Sequence, residues 1–367
     1  MYKLIERIHT LYGLLQDDLS KEIFLARLVY NIAPSTPNLW RLVSSQFPNG
    51  PRFRGWDDPV KDVLKQLNRE NKKIVLYGAG VVGLSFARML QVEHIDFYGF
   101  CGQDAAKFPD GLLGKPVLSP DELVAHGDEY YVLPSVYKRK YITEIYEFLN
   151  GHNYPKDHIL DWTDELKYFL DDKQYFEFPE LYRKGTAFID GGCYDCENDY
   201  KFAKWCNGEY SSIIAFEPDP SNYEMCRKMV QDDPLSNIQL INAGLSDKEG
   251  TTVFEALGTY SSHIIATESD SDKTTTVRIT TIDNCVEDRT VGFIKMDIEG
   301  AEFDALHGAQ YTIRRDKPLL AICVYHLRGD IVAIMDYLHE LVPEYRFLLR
   351  HYSIQDCETV LYASIDL

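Results

Sequence analysis

Residues 188–223 constrain this chain more than any other stretch: they read FIDGGCYDCEN and, about twenty residues on, IIAFEPDPSNY. An apolar run ends in an acid, Asp190, and passes through paired glycines, Gly191 and Gly192, into a helix-like segment. One βα unit later a second apolar run ends in Glu217, and Pro218 stops the strand and sets up the next helix. Small residues at a strand-to-helix turn let a ligand approach the backbone, and a carboxylate at the next strand end can accept both hydroxyls of a ribose. The arrangement demands a parallel α/β sheet and points to a nucleotide-type cofactor.

The same βα rhythm extends through most of the 367 residues, enough chain for two domains. Residues 1–57 carry apolar positions at helical spacing (Leu4, Ile8, Leu11, Leu15, then Ile23, Phe24, Leu28) and form a helical N-terminal segment, a candidate surface for a homo-oligomer. Residues 58–160 alternate strand-like KIVLYGAG, IDFYGFC and YYVLPS with helix-like VKDVLKQLNRE, GLSFARML and KRKYITEIYEFLNG, predicting a small Rossmann-like domain. Residues 161–184 are acidic and aromatic and read as a connector. From 185 to 367 a second series follows, with strands AFID, SIIAFEP, IQLINAGL, VGFIKMD and LLAICVY, closing on YRFLLRHY and TVLYAS as a hairpin. The fold class is therefore α/β with two Rossmann-like domains.

Charge narrows the partners. A formal net charge of -19 and a pI near 4.9 argue against nucleic acid or an anionic membrane and favour a small-molecule or glycan acceptor. No apolar run is long enough to span a bilayer, and the opening MYKLIERIHTLYGLL is too polar for a signal peptide, so the expected location is cytoplasmic. The eight cysteines are scattered; Cys193 and Cys196 form one CxxC inside the glycine turn, read here as reduced thiols.

Gly78, Gly80 and Gly83 match G-x-G-x-x-G between a strand and a helix, the context in which glycines permit a tight turn and close phosphate approach. The next strand offers no ribose acid: it ends at Phe100-Cys101-Gly102, and Asp104 comes two residues late. This segment resembles the nucleotide-sugar-binding domains in front of bacterial sugar-modifying enzymes, through Gly114-Lys115-Pro116-Val117 and Glu122-Leu123. A further constellation, Lys295-Met296-Asp297-Ile298-Glu299-Gly300-Ala301-Glu302, brings carboxylates to one strand end. Tyr325-His326 closes the next strand beside it. Asp297 and Glu299 can share a proton or hold magnesium, His326 can take a proton at neutral pH, and Glu302 can serve the first turn of the following helix.

Together FIDGGCYD, IIAFEPDPSNY, INAGLSDKEG, TTIDN, FIKMDIEGAEFDALHGA and KPLLAICVYH resemble the FkbM family of S-adenosylmethionine-dependent methyltransferases over roughly residues 174–363. The resemblance implies a seven-stranded sheet with an antiparallel last strand. It implies S-adenosylmethionine held by Asp190, Gly191, Gly192, Cys193, Glu217, Asp247 and Asp297, and an acceptor face at Asp297, Glu299 and His326. Members mostly methylate hydroxyls, often on sugars or polyketide-like products. Where the family turn usually has a further glycine, this chain has Cys196; if that position is left-handed, its side chain could crowd the methionine tail.

The expected chemistry is attack of an acceptor hydroxyl on the sulfonium methyl, with His326 or Asp297 removing the proton. Two alternatives stand beside it: a nicotinamide oxidoreductase using Gly78 to Gly83, and a non-catalytic protein that binds nucleotide-sugar. The polar loop 256–276 is long enough to act as a lid.

Overall fold

In the computed structural model, the chain divides into two units, one of Met1–Ile32, Lys173–Tyr352 and Cys357–Leu367, the other of Ala33–Asp172 and Ser353–Asp356. Residues 2–45, 59–92, 94–127, 129–136, 139–160, 173–255, 263–264, 274–353 and 355–367 are described.

The unit built on residues 33–172 carries four parallel strands, β1 (Lys73–Tyr77), β2 (Gly99–Cys101), β3 (Val117–Leu118) and β4 (Tyr130–Pro134), in the order β3-β2-β1-β4. Alternate residues of β1 feed two cores: Ile74 and Leu76 join Phe86, Leu90 and Phe100, while Val75 and Tyr77 join Cys101, Val132 and Leu149. Both faces of this sheet are covered, as parallel pairing demands.

The other unit holds a seven-stranded sheet in the order β14-β15-β13-β12-β5-β6-β7. Its strands are β5 (Ala187–Gly191), β6 (Ser212–Phe216), β7 (Ile238–Ile241), β12 (Val291–Met296), β13 (Leu319–Cys323), β14 (Arg346–His351) and β15 (Thr359–Ser364). Neighbours from β7 to β13 are parallel; β15 runs antiparallel to both β13 and β14. From β5 the chain builds outward through β6 and β7, then returns to lay β12 on the other side of β5. Side chains at the carboxyl ends of β5 and β12 therefore meet where the strand order reverses, the usual place for a ligand crevice in an open α/β sheet. Phe188, Phe293 and Phe202 pack beneath that point, with the rings of Phe188 and Phe202 stacked at 4.1 Å.

Two features differ from the sequence reading. The strand expected across IQLINAGL breaks after Ile241, because the Asn242 amide donates to the carbonyls of Glu217 (2.8 Å) and Pro218 (3.3 Å). Gly244–Leu245 (β8) then joins a separate sheet of order β10-β9-β11-β8, with β9 (Gly250–Glu255), β10 (His263–Ile264) and β11 (Thr274–Thr280). The candidate lid between β9 and β11 lies, at 256–262 and 265–273, outside the described residues.

The N-terminal helices also divide. Tyr2–Gly13 and Asp18–Ile32 belong with the seven-stranded sheet, whereas Thr36–Ser45 belongs to the other unit. Ile23 and Phe24 are fully buried, the Ser20 hydroxyl accepts the Leu349 amide at 2.9 Å, and Arg350 of β14 donates to Asp17 (2.7 Å), Ser20 (3.1 Å) and Glu177 (3.0 Å). Of the apolar positions suggested for a dimer, Leu11, Leu15, Ile23 and Phe24 are buried inside this unit, while Leu4 stays 55% exposed.

Candidate active site at the strand switch point

Asp190 ends β5 with no exposed surface, and Lys295, from neighbouring β12, donates to its Oδ1 at 2.8 Å. The same ammonium reaches the carbonyls of Gly191 (3.3 Å) and Gly192 (2.8 Å), so its three donors are all used. Burial alone would lower the Lys295 pKa, but the carboxylates of Asp190 and Asp297 overcome it and hold the group charged. Burial pushes the Asp190 carboxyl up, with Lys295 opposing. In this setting Asp190 anchors the turn from within and offers a ligand no surface.

Gly192 has φ +78, and a Cβ there would lie 2.0 Å from the Asp297 carbonyl oxygen; no other residue fits. Four residues on, Cys196 is left-handed too, at φ 60, which costs an L-residue roughly 1–2 kcal/mol. Its thiol turns inward: Cys196 is fully buried with Sγ 3.9 Å from Cys193 Sγ, which lies 3.8 Å from Cys226 Sγ. The crowding expected at the methionine tail is thus taken up in the core. Sulfur contacts from Cys193 and Cys196 bring the Cys226 thiol down to about 5.

Glu217 follows β6 and is 5 % exposed. Its Oε2 accepts the Tyr194 amide of the glycine turn at 3.0 Å and its Oε1 the Asp219 amide at 2.8 Å. Burial pushes this carboxyl up to about 7, against the pull of those two amides. Asp247 lies beyond β8, exposed, accepting the Ser246 hydroxyl at 3.2 Å.

The second cluster gathers around Asp297. Tyr175 donates to its Oδ2 at 2.7 Å and Tyr325 to its Oδ1 at 3.0 Å. Burial would raise Asp297, but Lys295, His326 and the two phenols bring its pKa below the usual value. His326 Nε2 lies 3.4 Å from Asp297 and 3.6 Å from Glu299, while Nδ1 lies 2.9 Å from Glu302. Burial opposes charge on His326, yet Glu299, Glu302 and Asp297 raise its pKa to about 11, so the ring is an imidazolium at neutral pH. That charge state opposes the base role expected for it. Glu302 is fully buried and accepts the amides of Ile298 (2.9 Å) and Gly300 (3.0 Å), closing the turn ahead of its own helix. Asp297, Glu299 and His326 present ligand atoms within 4.8 Å of one another.

Three groups at this point escaped the sequence reading. Tyr175 is buried at φ 69, its ring 5.2 Å from the Lys295 ammonium, although it stands more than a hundred residues from its partner. Tyr325 was passed over for the adjacent His326. Glu358, just ahead of β15, is bonded by the Gln174 amide and pushed up to about 7, by burial first and the Asp297 charge second. No local spacing links any of the three to Asp297.

In the other unit the Gly78 turn is tight. A Cβ on Gly83 would lie 1.8 Å from the Gly78 carbonyl and one on Gly78 2.4 Å from that of Ser135, whereas one on Gly80 would meet nothing within 4 Å. Asp104 turns to Lys107 at 3.1 Å, so β2 ends without a ribose acid. A cavity of about 600 Å³ lies at the amino ends of the strands of the seven-stranded sheet, lined by Ser211, Asn237, Gln239 and Arg289, and touches none of the groups above.

Fold and site define a mixed α/β domain, its sheet mainly parallel, with polar groups gathered at the strand ends. Residues 190–349 match the family model described as Methyltransferase FkbM domain. No curated protein matches the chain. Among solved structures it is similar to Methyltransferase FkbM from Methylobacillus flagellatus KT, at 19% identity over 94% of this chain and 99% of that one, TM-score 0.46. A SAM dependent methyltransferase from Aquifex aeolicus shares 12% identity over 53% of this chain and 96% of that one, TM-score 0.30. The SAH-bound Podospora anserina methyltransferase PaMTH1 shares 12% over 61% and 86%, TM-score 0.31. Among the described residues no helix is long and apolar enough to cross a membrane.

Proposed function

We propose that the chain transfers a methyl group from S-adenosylmethionine to a hydroxyl of a sugar or sugar-containing acceptor. Glu217 carries the reading: a buried carboxylate bonded to the Tyr194 amide of the glycine turn ties a ribose acceptor to the backbone that would meet the methionine end. A nucleoside with an amino-acid tail suits that pair better than a dinucleotide, whose pyrophosphate needs a longer glycine loop. The deciding measurement is isothermal titration with S-adenosylhomocysteine, on the native chain and on Glu217→Ala.

Methyl transfer needs the hydroxyl oxygen in line with the sulfonium methyl, and most of the acceleration comes from holding the two in near-attack geometry. Asp297, Glu299, Tyr175 and Tyr325 supply the polar face for the acceptor. With His326 charged and both Asp297 oxygens bonded by phenols, Glu358 is the group there whose acidity matches a neutral-pH general base. The rate should rise with pH through about 7, and Glu358→Gln should lower kcat about 100-fold and flatten that limb. A limb unchanged in the variant returns the base to Asp297 or Glu299.

Magnesium at Asp297 and Glu299, with His326 as a third ligand, would lower the acceptor hydroxyl's pKa. To sit there it must displace the His326 proton and release a phenol from Asp297, so the cation-free reaction is the reading carried here. Added Mg2+ is expected to leave turnover unchanged; activation by Mg2+ would establish the cation. The Gly78 to Gly83 turn is assigned to a nucleotide-sugar, with Gly80 as the open position, and Gly80→Val should spare S-adenosylhomocysteine binding.

A further inference from the structure

The CxxC in the glycine turn acquires a third member in the fold. Cys193 and Cys196 come from the turn after β5, and Cys226 comes from the helix Pro220–Asp232 that follows Glu217. All three thiols are at most 2 % exposed, and their sulfurs lie within 4.8 Å of one another. The two closest pairs stand at 3.8 and 3.9 Å. With metal–sulfur bonds of about 2.3 Å, a tetrahedral site sets its sulfurs about 3.8 Å apart, so ligation of a small cation needs almost no movement of the two close pairs.

An independent observation comes from Asp199, three residues beyond Cys196 in the helix Glu197–Trp205. Its side chain is fully buried, and neither carboxylate oxygen has a hydrogen-bond partner at good geometry. Burial and the nearby Asp190 carboxylate push its pKa well above the usual value, the Cys196 thiol opposes that shift through a hydrogen bond, and Cys226 adds to it. Burying an unpaired carboxylate is expensive unless a cation or a proton accompanies it. Oxygen and thiolate ligands together are a normal zinc-class donor set.

We propose that Cys193, Cys196 and Cys226, with the Asp199 carboxylate beside them, bind a thiophilic divalent cation of the zinc class. Each sulfur binds as a thiolate: the protons still held by Cys193 and Cys196 leave to solvent and the sulfur oxidation state is unchanged, so affinity rises with pH. The cation would clip the glycine turn to the helix after β6. The turn's Tyr194 amide bonds Glu217, so occupancy and cofactor affinity should be linked in both directions.

Cobalt(II) added to the full chain under reducing, oxygen-free conditions tests this directly. The expected result is one equivalent bound, with sulfur-to-cobalt charge transfer in the near ultraviolet and intense visible bands of a tetrahedral ion, both bleached by Zn2+. Cys226→Ser should lose the charge-transfer intensity, and Cys206→Ser, at a buried thiol elsewhere, should keep it. Should Cys226→Ser fail to fold, alkylation of the native chain gives a second readout: Zn2+ should protect Cys193, Cys196 and Cys226 together. A weak six-coordinate spectrum without charge transfer would place the ion on oxygen ligands such as Asp297 and Glu299 and overturn the proposal. So would absence of binding by the fully reduced protein, which would leave the three thiols as close-packed core.

Discussion

Replacing Glu217 with alanine is expected to weaken S-adenosylhomocysteine binding by about 100-fold or more. Two ribose hydroxyls donating to a charged acceptor are worth roughly 1.5–3 kcal/mol each, and 1.4 kcal/mol is tenfold in affinity. The native protein should also show a pH signature that the variant lacks. Burial holds the Glu217 carboxyl at about 7, above its usual 4.5, and only the ionised form can accept both hydroxyls. Affinity should therefore fall about tenfold per pH unit below 7 and level off above it. Folding stability responds with the opposite sign. A raised folded-state pKa means that this group's contribution is fully present below pH 4.5 and is lost as the pH rises through about 7. The carboxylate is thus kept at a cost to the ligand-free fold, as expected of a binding group rather than a structural one. Titrations at pH 6, 7 and 8 decide the matter: equal dissociation constants across that range, unchanged in Glu217→Ala, would remove the ribose assignment.

Glu217 was legible because three local signals coincide on it: an apolar run, a terminal carboxylate, and a proline that ends the strand. The strands carrying Asp190 and Asp297 were legible in the same way, since strands buried on both faces are written as nearly continuous apolar runs. What the sequence withheld is long-range. Lys295 stands beside Asp297 in the chain, yet its ammonium crosses to Asp190, because parallel pairing sets Lys295 directly opposite that residue. Cys226 was only one of eight scattered cysteines until the fold set its sulfur against the turn. Asn242 interrupts a strand through bonds to Glu217 and Pro218 that no propensity encodes. The helix Asp18–Ile32 showed its apolar stripe, but nothing in the stripe names β14 as its partner. Charge states escaped for a related reason: the His326 imidazolium depends on Glu299, Glu302 and Asp297 converging on one ring.

That dependence on long-range pairing makes Lys295 the position where the fold itself is most exposed to mutation. Lys295→Met keeps the apolar stem and removes the ammonium, leaving Asp190 buried and three carbonyl or carboxylate acceptors without their donor. Breaking a buried ion pair from one side costs about 3–5 kcal/mol, far more than the pair contributes over an apolar substitute. The loss should depend on pH, and its sign follows from Asp190. Burial already pushes that carboxyl up, and without the lysine nothing opposes the shift. In the variant, stability is then greatest where Asp190 is protonated and falls as the pH rises above the normal carboxylate range. Urea unfolding should accordingly show a large deficit at pH 7.5 and a smaller one at pH 5. Adding Asp190→Asn should recover much of the deficit at pH 7.5, because the uncompensated charge is gone while the side chain still fills its place. If the single variant lost the same stability at both pH values, and the double variant recovered none of it, the role of Lys295 would be its bonds to the Gly191 and Gly192 carbonyls. The turn would then be held by hydrogen bonding and not by the ion pair.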